Sequence, residues 1–130
     1  MVHYLHTSAL VKLVVAETET RALRTWLTEM ETNPVSSDLA RTELLQVVRR
    51  SAPDRVPLAR QVLDSITLIE LTTLTFEAEG RLDPTVVRTL DAVHLAAALS
   101  LGDDVESIVT YDARLTFAAQ SNGLAVSSPA

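Results

Sequence analysis

Glu43 has the setting that most needs a chemical explanation. The segment Leu39–Arg50 carries an apolar stripe at helical spacing, Ala40, Leu44, Val47 and Val48, and Glu43 falls inside it. A carboxylate among apolar neighbours must be paired, metal-bound or protonated, because burying it alone is costly. The plainer reading is a residue at the stripe's edge that reaches solvent or an arginine such as Arg41. Two further carboxylates open helical segments. Asp91 stands at the head of the very apolar run Val93–Leu99, where an acid in the first turn is favoured by the helix dipole. Asp112 follows Ser107–Tyr111 and precedes Ala113-Arg114-Leu115, the position of a helix N-cap. A cap can use one carboxylate oxygen while the other binds an ion, so the two roles are compatible.

Other polar residues have similar double readings. Thr7 and Ser8 are natural caps for the helix after the first strand, or hydroxyls that orient a neighbouring ligand or water. His94, three residues after Asp91, reads as a core histidine with its hydrogen bonds satisfied. Arg81, Arg88 and Arg114 could neutralise phosphates, and equally could be ordinary exposed arginines.

The elements that must position these groups alternate along the chain. Strands are expected at Val2–His6, Pro34–Ser37, Thr67–Leu71, Ser107–Tyr111 and Leu124–Ser127. Helices are expected at Thr7–Val15, Thr18–Glu31, Leu39–Arg50 with Asp38 as N-cap, from Pro57 to near Ser65, and at Thr75–Leu82, Thr89–Leu101 and Asp112–Ser121. Alternating strands and helices imply parallel pairing through right-handed crossovers. Their largely continuous apolar strands suit a sheet covered on both faces. The expected fold is a three-layer α/β/α sandwich with a central, mostly parallel sheet, one domain over residues 1–130. Ligands in such sheets sit beyond the carboxyl ends of the strands, where His6 and Asp112 both fall.

Composition narrows the class. There is no cysteine, which excludes a disulfide frame and a thiolate metal site and fits a cytoplasmic location. No apolar run approaches the roughly 20 residues of a membrane span. The net charge of −6 argues mildly against a nucleic-acid partner, but a cluster of carboxylates recovers charge through a bound ion, and an acidic face suits a basic partner peptide.

Taken together, the quoted residues carry a resemblance. Thr7-Ser8-Ala9-Leu10-Val11-Lys12, Ser36-Ser37-Asp38-Leu39-Ala40-Arg41-Thr42-Glu43-Leu44, Leu90-Asp91-Ala92-Val93-His94-Leu95-Ala96-Ala97-Ala98 and Val109-Thr110-Tyr111-Asp112-Ala113-Arg114-Leu115 occur in the order of the VapC pattern. The chain thus resembles a PIN-domain ribonuclease toxin of VapBC toxin–antitoxin systems. It departs from that family at one place: His6 stands where the family has Asp. The resemblance implies a type II toxin, a Mg²⁺- or Mn²⁺-dependent endoribonuclease acting on cellular RNA. Its metal and catalytic residues would be Glu43, Asp91, Asp112 and the group at position 6, with Thr7 and Ser8 behind them and Arg81, Arg88 and Arg114 toward RNA. It also implies a VapB-type antitoxin, a homodimer and a toxin–antitoxin hetero-oligomer, with no membrane association. Imidazole at position 6 would favour Mn²⁺, Co²⁺ or Zn²⁺ over Mg²⁺ and would impair activity. The alternative is a catalytically inactive PIN-fold module that holds its antitoxin, and RNA, without cleavage.

Overall fold

The structure, a computed structural model, describes residues 1–31, 33–74, 77 and 89–130. Strands β1 (Val2–Leu5), β2 (Asn33–Ser37), β3 (Thr67–Ile69), β4 (Val105–Val109) and β5 (Val126–Ser127) form one sheet in the order β3-β2-β1-β4-β5. All four pairings are parallel. The helices with described bounds are α1 (Thr7–Val14), α2 (Thr20–Met30), α3 (Asp38–Ser51), α4 (Val56–Ser65), α5 (Thr89–Leu99) and α6 (Ala113–Ser121).

Two apolar cores show the layering. Leu5 and Val109 point to one face of the sheet and pack with Leu10 and Val14 of α1, Leu23 of α2, Leu44 and Val48 of α3, and Leu63 of α4. Their strand neighbours Tyr4 and Ile108 point to the other face and pack with Leu95 and Ala98 of α5 and Leu115 and Ala119 of α6. This alternation follows from the two-residue period of a strand. The expected three-layer sandwich is therefore the observed one. The chain winds outward from β1 to β3, then crosses back to β4 on the other side of β1. The strand order reverses between β1 and β4, and the crevice outside their carboxyl ends is where such sheets bind ligands.

Several boundaries differ from expectation. β1 ends at Leu5, and His6 is the N-cap of α1. Asp38 is the first residue of α3, whose N-cap is Ser37. β4 begins at Val105 and ends at Val109, so Thr110 and Tyr111 lie beyond the strand. β3 stops at Ile69. The helix expected over Thr75–Leu82 lies outside the described residues except for Glu77, which is helical. Among the described residues, no helix is long and apolar enough to cross a membrane.

Two buried imidazoles give the fold a pH dependence. Burial pushes His3 and His94 below the ordinary value of 6.5, opposed by Glu106 and by Glu43 respectively. As pH falls below 6.5 the unfolded chain takes up these protons first. Stability should therefore be complete above that value and decline toward the lowered folded values. Urea midpoints measured from about pH 7.5 down to about pH 5 should fall, and His3→Gln should flatten the curve. A midpoint that rises on acidification would contradict the assignment.

Candidate active site

His6, Thr7, Ser8, Val11, Glu43, Val47, Leu90, Asp91 and Asp112 line one cleft of about 450 Å³. It opens at the carboxyl end of the sheet, at the crevice between β1 and β4. The four positions singled out in the sequence thus meet in one place.

Glu43 reaches the cleft because α3 buries Ala40, Leu44 and Val48 while Glu43 and Val47 lie at the edge of that stripe. Its Oε1 accepts from Thr7 Oγ1 at 2.6 Å and contacts His94 Nε2 at 2.5 Å. Burial, the largest influence, pushes this carboxyl up, but the hydrogen bonds from His94 and Thr7 and the nearby imidazoles together hold it below its ordinary value. Both bonds fall on Oε1.

His94 is the functional neighbour that sequence reasoning underrated. It is fully buried on α5, in the layer opposite α3, and meets Glu43 across the end of the sheet. Its Nδ1 lies 2.8 Å from the Tyr4 hydroxyl, which is itself 2.9 Å from Ser37 Oγ. Burial pushes the His94 imidazole down. Nε2 faces the Glu43 carboxylate and Nδ1 meets the Tyr4 hydroxyl, which donates to Ser37 Oγ, so a chain of buried polar groups runs from Ser37 through Tyr4 and His94 to the cleft. The expectation of a core histidine with satisfied hydrogen bonds holds, and one of its partners is the site carboxylate. A signal was available: a histidine in an all-apolar helix must find partners for both nitrogens. His94→Leu should destabilise the fold by about 3 kcal/mol, since it strips a partner from a buried hydroxyl and a half-buried carboxylate. A change below about 1 kcal/mol in urea unfolding would show that the pairing is incidental.

His6 follows β1. Its Nδ1 accepts from the Ser8 backbone N–H at 3.3 Å, capping α1, and lies 2.9 Å from Ser8 Oγ and 3.2 Å from Thr110 Oγ1. Its Nε2 lies 3.4 Å from Asp91 Oδ1, and its ring meets that of His94 edge-on at 4.8 Å. Asp91, in the first turn of α5, enters the cleft beside exposed Leu90.

Asp112 caps α6 with a single oxygen: Oδ1 accepts from the Arg114 and Leu115 N–H groups at 2.8 and 3.1 Å. Its loop is tied to the β1 end by hydroxyls. Ser8 Oγ accepts from Tyr111 N at 3.0 Å, and Thr110 Oγ1 accepts from Asp112 N at 3.1 Å. Ser8 is thus a cap-region residue that also positions the neighbouring loop, and Thr110 is a partner the sequence did not suggest. Arg114 is exposed in the first turn of α6. Arg81 and Arg88 lie outside the described residues.

Among the described residues, no three His, Asp or Glu side chains stand close enough to share one ion. Glu43 meets His94, and Asp91 stands beside His6. In chemistry the lining still fits a hard divalent cation. It presents three carboxylates and no sulfur, and Glu43 and Asp112 make these bonds through one oxygen each.

Comparisons with known proteins agree with this fold. The PIN domain profile matches residues 4–120, nearly the whole chain. The molecule is a PIN-domain protein. Ribonuclease VapC47 of Mycobacterium tuberculosis is 38% identical over 130 residues, covering 97% of this chain and 96% of that protein. Ribonuclease VapC46 of the same species is 39% identical over 126 residues, with the same coverage. Within the PIN-domain family, the chain belongs to the VapC ribonucleases. Solved structures share its fold at lower identity. A toxin–antitoxin complex from Klebsiella pneumoniae superposes with a TM-score of 0.76 at 16% identity, covering 98% of each chain. VapBC2 from Rickettsia felis, bound to a DNA fragment from their promoter, gives 0.74 at 14% identity over the full length of both chains.

Proposed function

We propose that this chain is the toxin of a type II toxin–antitoxin pair and acts as a divalent-metal-dependent endoribonuclease. The observation that carries the reading is the convergence of Glu43, Asp91 and Asp112 on one cleft at the strand-order reversal of a VapC-type PIN domain. These three carboxylates are the residues we assign to a Mg²⁺ or Mn²⁺ ion. Such an ion, when bound, supplies an activated water and stabilises charge on the phosphodiester during hydrolysis.

The chain's own residues have separable tasks. Thr7 and His94 hold one oxygen of Glu43 and leave the other for the cleft. The N-cap bonds fix Asp112, and Ser8 with Thr110 fixes the loop that carries it. Exposed Arg114, two residues beyond Asp112, is assigned to a phosphate of the RNA; Arg81 and Arg88 are assigned the same role from the sequence alone. The partner is a VapB-type antitoxin, with a toxin homodimer and a toxin–antitoxin hetero-oligomer as the assemblies, in the cytoplasm.

One observation favours a second reading, a module that holds its antitoxin and RNA without cutting. Two of the three carboxylates face imidazoles rather than an open coordination site. Incubation with RNA in Mg²⁺, in Mn²⁺ and in EDTA separates the two. Ion-dependent cleavage supports the ribonuclease; retained RNA binding without cleavage in either ion supports the module.

A further inference from the structure

A carboxylate and a neutral imidazole differ in how many tasks they can share. Asp112 caps α6 with Oδ1 alone and keeps a second oxygen, also an acceptor, for the cleft. His6 caps α1 with Nδ1. The Ser8 backbone N–H can only donate, so Nδ1 carries the ring's lone pair. The Ser8 and Thr110 hydroxyls around Nδ1, at 2.9 and 3.2 Å, are also able to donate to it. A neutral imidazole has one acceptor nitrogen. With Nδ1 occupied, Nε2 bears the hydrogen, and Nε2 is the atom that faces Asp91. Ligation through Nε2 would require the opposite tautomer, with an Nδ1–H set against the Ser8 N–H.

We infer that His6 presents a fixed Nε2–H donor to the cleft and serves to hold a non-bridging phosphate oxygen of bound RNA, not to ligate the ion. The role rests on the ribonuclease reading above. His6 is buried but lines the cleft, and the hydroxyl network around Nδ1 fixes the ring plane. Its 3.4 Å separation from Asp91 is long for a hydrogen bond, so an anionic oxygen entering the cleft competes for the donor on good terms. A donor where a carboxylate would stand also lowers the repulsion that a phosphate meets.

Three measurements test this. Long-range ¹⁵N–¹H correlation of the His6 ring at neutral pH should show Nε2 protonated and Nδ1 bare, unchanged on titration with Mg²⁺. An Nδ1–H tautomer, or loss of the Nε2 proton on adding Mg²⁺, would overturn the inference. By calorimetry, His6→Ala should keep its Mg²⁺ affinity within about twofold, whereas loss of a working ligand costs about 10–100-fold. In EDTA, the affinity of His6→Ala for a 2′-O-methyl oligoribonucleotide should fall about 5–10-fold, the worth of one hydrogen bond. His6→Gln, which keeps a donor at the end of its side chain, should recover most of that loss. Equal oligonucleotide binding by the parent and His6→Ala would sink the phosphate role while leaving the ribonuclease reading intact. Failure of the parent chain to bind oligonucleotide in either EDTA or Mg²⁺ would remove both.

Discussion

Replacing His6 with aspartate should raise the Mg²⁺-dependent rate of RNA cleavage by about 10–100-fold, the usual worth of a group that holds or supports a metal site. The physical case lies in the cap. At position 6 an aspartate could accept the Ser8 N–H with one oxygen, as His6 Nδ1 does now, and turn its other oxygen to the cleft. It would also release Asp91 from the facing imidazole and add a negative charge to the three carboxylates of the lining. Both changes favour a hard cation. The rate gain should come with tighter Mg²⁺ binding, and with a fall in stability of the ion-free protein as four carboxylates crowd one cleft. Equal rates for the two proteins in Mg²⁺ would mean that the cleft does not work through position 6.

Glu43→Gln should lower cleavage by about 100-fold or more, on the scale of losing one strong electrostatic stabiliser of a transition state. The amide is nearly isosteric, and its carbonyl oxygen can still accept from Thr7 and His94. The cost in folding stability should therefore stay near about 1 kcal/mol. This pattern, a large loss of rate with a small loss of stability, is the reverse of that expected for His94→Leu. The pair separates the carboxylate that acts from the histidine that holds it. A Glu43→Gln protein that cuts RNA as fast as its parent would exclude Glu43 from the chemistry.

The sequence was most informative where one physical rule governed a residue. The spacing of Ala40, Leu44, Val47 and Val48 sets Glu43 within an apolar stripe, and the structure finds it at the edge of that stripe, lining the cleft. Asp112 was readable as a cap because its backbone neighbours leave unpaired N–H groups, and it caps as expected. A mostly parallel sheet follows from the alternation of elements, and all four observed pairings are parallel. Reading failed where long-range partners decide. The strand expected from Ser107 begins at Val105, and Glu106 lies in β4, where it meets His3 of β1 at 2.9 Å. That contact spans most of the chain and leaves no local trace. The same holds for the Tyr4–His94–Glu43 chain, which joins a strand and two helices from opposite layers. Asp38 has a residue type that suits a cap, but the extended backbone ends at Ser37 and the helix starts one residue early.

Ion-dependent cutting of RNA by this carboxylate cleft is the central expectation. The most direct test is to incubate the His6→Asp protein with total cellular RNA in Mg²⁺ and map the new ends, beside the same protein in EDTA and the His6→Asp/Glu43→Gln double variant. The expected result is a small set of discrete cleavage sites in Mg²⁺ that vanish in both controls. Absence of new ends in Mg²⁺ and Mn²⁺, or the same ends in EDTA or with Glu43 replaced, would contradict it.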